Sequence, residues 1–291
     1  EANRARGAAD CTNTLTTISL EHTQPAGQVL RIPVYFHVIY KADGEGYISE
    51  ARILDQMAVL NQDFAGGNGL SIQNTAIQFD LVYINYVQDD SYFEDAGEGG
   101  VSKYALAVDP SQYLNVYTND SSGYLGYATL PAGSAGGQGD GVVIRHETIG
   151  GRNNGYGYYN QGRTLVHEVG HYLGLFHTFD PEGDCTNTYT GGDLIVDTPP
   201  QLYADSGTQP STGCGPRSAI ENFMNYSIDN AMYTFTSEQT NRMTCSLVNY
   251  RSNAYSTSST NTFTAAGTAS PISVSGLANG RPYNCSVTAT N

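Results

Sequence analysis

Apolar positions in the first half of the chain fall into runs with two different periods. Residues 29–40 (VLRIPVYFHVIY) are β-branched and aromatic almost throughout, the composition of a buried strand. From Ser49 the period lengthens. SEARILDQMAVLNQDF places Ile53, Met57, Leu60 and Phe64 on one face of a helix that Ser49 caps. IQFDLVYINY (77–86) alternates as a strand does, and YLNVYT (113–118) reads as another. GYLGYATLP (123–131) and GVVIRHE (141–147) supply two more, separated by the Gly-rich loop 133–141. Strand, helix and four strands therefore lead into TLVHEVGHYLGLFH (164–177), where Leu165, Val169, Tyr172 and Leu173 fit a buried helical face.

Beyond His177 the chain is irregular and rich in Gly and Asp until FTSEQTNRMTCSLVNYR (235–251). There Thr236 and Gln239 make a capping-box pattern, with Met243, Leu247 and Tyr250 on one helical face. Residues 252–270 are rich in Ser, Thr and Asn and read as a linker. Residues 270–291 alternate as two strands around a turn, like the last strands of a fibronectin-type-III module. A full sandwich needs roughly a hundred residues, so this reads as a fragment or tail.

Composition narrows the classes. The chain has 291 residues, enough for one large domain or two small ones, and a formal charge of −15. Lys and Arg total 13 against 28 acids, which leaves no basic footprint for nucleic acid and disfavours an anionic membrane surface. No run approaches the roughly eighteen apolar residues of a membrane span, and residues 1–28 lack a signal-peptide core. Scarce lysine with abundant Asn, Ser, Thr, Gly and Tyr points to a secreted protein. The cysteines are Cys11, Cys185, Cys214, Cys245 and Cys285, with no CxxC pair. An oxidising compartment allows two disulfides and one thiol, and a cytosolic one would keep five thiols.

Three of the six histidines gather in 164–177. On a helix His167 and His171 are four residues apart, so their rings project from one side, a turn apart. That spacing suits two ligands of one tetrahedral Zn²⁺. Gly174 stands where the helix must stop, and a left-handed turn there swings His177 back as a third ligand. Three ligands leave a fourth position for water, whose pKa zinc lowers towards about 7. Glu168, beside the first ligand, can take the water's proton and pass it to a leaving amine. Every fixed position of HExxHxxGxxH is filled. Buried core histidines would not need this spacing, and a closed structural zinc site would need a fourth ligand but not Glu168.

This motif, with the downstream HTF, GDLIVDTPP, NFMNYSID and FTSEQTNRM, resembles the pappalysin (ulilysin-like) family of metzincin metalloendopeptidases. The resemblance implies an α+β, zincin-like catalytic domain over residues 29–254. A twisted mixed sheet with two helices lies above a cleft, and an irregular lower part ending in a helix lies below it. Residues 1–28 would be an N-terminal segment, fitting a prosegment remnant, and residues 255–291 the linker and partial fibronectin-like tail. By position, Met224 resembles the methionine beneath the zinc, and Tyr226 the tyrosine whose phenol reaches the oxyanion. Gly126, Tyr127 and Ala128 fall on the edge strand that pairs with substrate. Glu182, Asp193, the Val196 carbonyl and Thr198 match a calcium loop.

The resemblance also implies two disulfides in the lower part. Cys185 and Cys214 supply one, but Ala231 stands where the cysteine after the Met-turn tyrosine is found. Cys11 either pairs with Cys245 or belongs to a latency remnant whose thiolate caps the zinc. Relatives that cut before Arg or Lys share an Asp at the base of the S1′ pocket. Asn230 stands there, implying a broad P1′ preference unless neighbouring Asp229 turns in. The expected activity is a secreted zinc endopeptidase acting on extended segments of proteins and peptides. A catalytically silent binding or adhesion module on the same scaffold is the alternative. Oligomeric state is not readable.

Overall fold

A computed structural model describes residues 11–16, 28–67, 73–94, 100–151 and 156–259. Strand β1 (Gln28–Tyr40) is central to its sheet, and Ile32, Val34, Phe36 and Val38 alternate into the core with no exposed surface. Around it lie β2 (Ile77–Gln88), β3 (Leu114–Asn119), β4 (Gly126–Ala128) and β5 (Val142–Arg145), in the order β2-β1-β3-β5-β4. All neighbours are parallel except β4, which runs antiparallel to β5 and ends the sheet. The sheet is therefore mixed, with β4 reversed at this edge.

The helix Glu50–Phe64 connects β1 to β2 and backs the sheet. Ser49 caps it, accepting from the Arg52 N–H, and Ile53, Met57, Leu60 and Phe64 are buried. Its buried polar residues face the chain ahead of the next long helix. Gln56 donates to the Gly162 carbonyl at 2.9 Å and accepts from the Gly150 N–H at 2.9 Å. Asp63 pairs with Arg163 at 3.2 Å. No helix among the described residues is long and apolar enough to cross a membrane.

A sixth strand, β6 (Ser256–Ser259), lies in the stretch that composition reads as linker. It pairs antiparallel with Gln28–Arg31 of β1. β3 meets β1 only from Val34 onwards, which leaves the start of β1 with a free row of backbone groups. Backbone pairing satisfies them and makes no demand for apolar side chains, so the hydrophobic pattern carries no trace of it. Residues 270–291, with Cys285, lie outside the described residues.

Two disulfides form, Cys185–Cys214 and Cys11–Cys245. The second decides between the alternatives for Cys11. The first closes a loop with a separation of 29 residues, worth about 3–4 kcal/mol in the chain-entropy model. The lower part has little regular structure until the helix Ser237–Tyr250, where the Thr236–Gln239 capping box forms. Gln201, Asn225, Asp205 and Ser218 bond one another there, burying their polar atoms as a connected network.

One ion pair ties the halves together. Arg251, just past the lower helix, forks onto both oxygens of Asp140, in the loop between β4 and β5. Its guanidinium stacks 3.5 Å from the Tyr172 ring centroid and donates to the Tyr172 carbonyl at 3.1 Å. Asp140 also accepts from Thr129 at 2.7 Å and from the Gly136 N–H at 2.8 Å. Both charged side chains are 1% exposed, so removing one strands the other in low dielectric. Asp140→Asn should therefore lose about 3–5 kcal/mol, lowering Tm by roughly 6–20 °C for a domain of this size. Differential scanning fluorimetry checks this, and an unchanged Tm would show the pair to be neutral.

Candidate active site

The active-site helix, Arg163–Tyr172, begins after Gly162 at φ 76°, where a Cβ would lie 2.4 Å from the Gly150 carbonyl oxygen. It ends in a Schellman turn. The Gly174 N–H bonds the His171 carbonyl at 2.8 Å, and the Leu175 N–H bonds the Gly170 carbonyl at 3.0 Å. Gly174 has φ +95°, and a Cβ there would meet the Ser246 hydroxyl oxygen at 2.3 Å. The turn reverses the chain and returns His177 to the helix face carrying His167 and His171.

The three rings converge. His171 Nε2 lies 3.1 Å from His167 Nε2 and 3.0 Å from His177 Nε2. Each Nδ1 faces an acceptor: the Phe223 carbonyl at 2.6 Å for His167, the Leu175 carbonyl at 2.8 Å for His171, and Asp180 at 3.1 Å for His177. A carbonyl can only accept, so Nδ1 of His167 and of His171 carries the hydrogen and Nε2 presents a lone pair. Burial, then the neighbouring imidazoles, hold His167 well below its ordinary pKa. Burial, then His177, lowers His171 to about 3. Three rings aimed at one point, two of them with Nε2 freed by an Nδ1–H bond, are a ligand set. A tetrahedral Zn²⁺ about 2.0–2.1 Å from each nitrogen would hold them roughly 3.3 Å apart, so the site fits the ion after a small expansion. Among the described residues this is the one group of three or more His, Cys, Asp or Glu whose ligand atoms gather within 4.8 Å.

Glu168 is 5% exposed, and its Oε2 has no hydrogen-bond partner among the described residues. Burial raises its pKa to about 8. The edge strand β4 crosses directly over it: a Cβ on Gly126 would be 2.8 Å from Glu168 Cγ. Tyr127 and Ala128 continue that strand, half-buried. Met224 is fully buried, and a Cβ on Gly170 would lie 2.4 Å from its Sδ. The helix bearing the ligands thus rests on the thioether with no room to spare. Tyr226 is 47% exposed, with its ring 4.7 Å from His177 and 4.9 Å from Phe179. Burial and then Glu168 push its hydroxyl up to about 12, so it stays a donor at neutral pH.

The other expected residues are more dispersed. Asp193 and Thr198 are buried and bonded at 2.7 Å, whereas Glu182 and Val196 are exposed. Asn230 is exposed and accepts from Gln161. Asp229, beside it, is fully buried. One oxygen accepts from the Gln161 N–H at 2.7 Å, next to the start of the active-site helix, and the other lacks a partner among the described residues. Sequence reasoning missed Asp180, Gly170 and the Phe223 carbonyl. Asp180, three residues past His177, was findable by spacing. A carbonyl carries no sequence signal.

The model of the peptidase M43 family, described as pregnancy-associated plasma protein-A, matches residues 100–248. An extracellular metalloprotease of Colletotrichum graminicola is 36% identical over 238 residues, 78% of this chain and 79% of that protein. Extracellular metalloprotease 1 of Coccidioides posadasii is 34% identical, over 74% of this chain and 75% of its own. Among solved structures, mature mirolysin of Tannerella forsythia in complex with a cleaved peptide is 29% identical. It aligns with a TM-score of 0.63 over 75% of this chain and 91% of that one. A promirolysin mutant from the same organism is 28% identical, with a TM-score of 0.68 over 80% and 86%. The chain belongs to the peptidase M43 (pappalysin) family, as an extracellular zinc metalloprotease.

Proposed function

We propose that the chain cleaves peptide bonds within extended segments of other proteins, with Glu168 carrying the proton between water and leaving amine. The observation behind this is one buried oxygen. Glu168 Oε2 sits without a partner among the described residues, next to the triad and beneath an edge strand, where a purely structural carboxylate would be bonded. His167, His171 and His177 would hold a zinc ion, which would supply Lewis acidity towards the scissile carbonyl and the attacking water. Burial makes the Glu168 carboxylate a strong base for its type, and a cation held by the three histidines would favour its ionised form. Once it has taken a proton from water, it can pass that proton to the leaving amine. Tyr226, protonated and beside His177, donates to the developing oxyanion.

β4 gives the substrate its direction. A sheet edge pairs with an extended peptide through backbone groups, so Gly126, Tyr127 and Ala128 would hold the main chain over Glu168. Exposed, uncharged Asn230 is available to the residue after the scissile bond. The cleaved peptide bound to mirolysin supports a peptide ligand for this fold. Calcium is a further part of the proposal. Asp193 is buried and pushed up to about 7 by that burial, and among the described residues its oxygens accept from Thr198 and the Ile195 N–H. A hard cation shared with Glu182, Thr198 and the Val196 carbonyl would stabilise its ionised form.

Three outcomes are expected. Glu168→Gln should keep one zinc per chain by metal analysis and lose nearly all casein digestion, whereas His171→Ala should lose both. Zinc loss in the glutamine variant would refute the division of roles.

The raised Glu168 pKa also fixes the sign of a pH effect. The folded chain binds that proton more tightly than the unfolded one, whose glutamate titrates at about 4.5. Its stabilisation is complete below that value and is lost as pH rises through about 8. Zinc-stripped wild type should therefore weaken relative to zinc-stripped Glu168→Gln across this window. Urea midpoints for the two proteins that run parallel with pH would contradict it.

Adding about 10 mM Ca²⁺ to calcium-free, zinc-loaded protein should raise Tm by roughly 3–10 °C, given extracellular affinities of about 10⁻⁴–10⁻³ M. Asp193→Asn should abolish the rise. No shift in wild type would remove calcium from the proposal.

A further inference from the structure

Arg242 lies within the lower helix, 1% exposed, and no carboxylate is among its hydrogen-bond partners. The nearby Asp193 carboxylate favours its charge, while its N–H groups serve other acceptors. Its Nε donates to the Gly174 carbonyl at 2.6 Å, and its charge centre sits 5.3 Å from the Phe176 ring. Gly174 and Phe176 are the first and last residues of the three-residue link between the helix C-cap Leu173 and His177. Arg242 therefore holds both ends of the link that delivers the third ligand.

The opposite side of the guanidinium is filled by residues 11–16. Nη2 donates to the Thr12 carbonyl at 2.6 Å, and Nη1 to the Leu15 carbonyl at 3.3 Å and to the Thr16 hydroxyl. This short hook closes on itself through Thr12 N–H to Leu15 carbonyl at 2.9 Å. It is fastened at three places: the Cys11–Cys245 disulfide, the Thr16 N–H on the Tyr189 carbonyl at 2.8 Å, and Asn13 on the Ala132 carbonyl at 3.3 Å. The hook's acceptors fix the plane of the guanidinium, which leaves one N–H directed at Gly174.

We propose that Arg242 is a positioning residue for the third metal ligand, and that the hook at residues 11–16 is a working part of the mature enzyme that keeps Arg242 aimed. The proposal rests on reading the triad as a metal site. Without Arg242 the link loses its anchor and the Gly174 carbonyl its donor. His177 then relies on Asp180 and on its stacking with Phe179 at 4.7 Å. Without the disulfide the hook is held only by single hydrogen bonds, and Arg242 gains freedom.

The test measures zinc release from the full, zinc-loaded chain into a chromogenic chelator, alongside thermal melting. Arg242→Met keeps the aliphatic stem and should release zinc about 10–100-fold faster, the range for residues that orient ligands. Arg242→Lys can still reach one carbonyl and should fall between the two. The Cys11→Ser/Cys245→Ser double variant should accelerate release several-fold. Arg31→Ala, which breaks the Arg31–Asp80 pair between β1 and β2, should lower Tm with release unchanged. Release at the wild-type rate in both Arg242→Met and the cysteine double variant would overturn the proposal, as would acceleration no greater than in Arg31→Ala. If Arg242→Met does not fold, Arg242→Lys and the cysteine variant decide by the same criterion. Wild type without zinc would refute the metal reading and this inference with it, whereas bound zinc released alike by all variants would sink only the inference.

Discussion

Three imidazoles converge with Nε2 of His171 3.1 Å from that of His167 and 3.0 Å from that of His177, so their lone pairs repel, and the rest of the structure serves to keep them there. A cation turns that repulsion into binding, but only if the rings cannot rotate away beforehand. Each Nδ1 is therefore anchored, to a carbonyl of the lower loop, to a carbonyl of the helix-ending turn, and to Asp180. Hydrogen-bonded anchors of this kind fix tautomer and ring plane together. They also link the ligand helix, the turn after it and the Met-turn, so that none can shift without disturbing the metal.

The same burial that concentrates the ligands shapes the chemistry beside them. In this low dielectric the Glu168 carboxylate is expensive to ionise, and a nearby divalent ion is the natural compensation. Gly126 shows how tightly the arrangement is drawn: with any side chain there, the edge strand could not approach the glutamate. One missing Cβ lets the strand that would pair with substrate and the group that would move the proton share a contact. A substrate backbone paired to that strand would be registered against the base without an intervening flexible side chain.

Much of this was legible in the sequence, and the division has a physical origin. The two long capped helices announced themselves through period and caps, since Ser49 and Thr236 cap by chemistry local to a few residues. The triad was legible because one helix and one turn carry all three ligands, so spacing along the chain is spacing in space. What stayed hidden was nonlocal. β6 joins the sheet through backbone groups of Ser and Thr residues that composition assigns to a linker. The pairing of Cys11 with Cys245 spans 234 residues, and Arg242 reads as an ordinary polar position of an amphipathic helix until the hook folds over it. No periodicity encodes a contact whose other half lies so far along the chain.

These nonlocal contacts explain how an irregular lower part can support a rigid site. Between Thr178 and Phe235 few backbone groups belong to ladders, so stiffness has to come from elsewhere. Buried amides do part of it: Asn225 and Gln201 bond each other twice, and Asn222 and Gln239 do the same, joining the Met-turn to its surroundings and to the lower helix. Such pairs have one satisfactory geometry, because a displaced amide leaves buried donors and acceptors unmet. Apolar packing alone would tolerate sliding. A loop fixed by paired amides has a single register, and Phe223, whose carbonyl orients the first ligand, sits inside it. The polar residues that make this half look irregular are the ones that give it a defined shape.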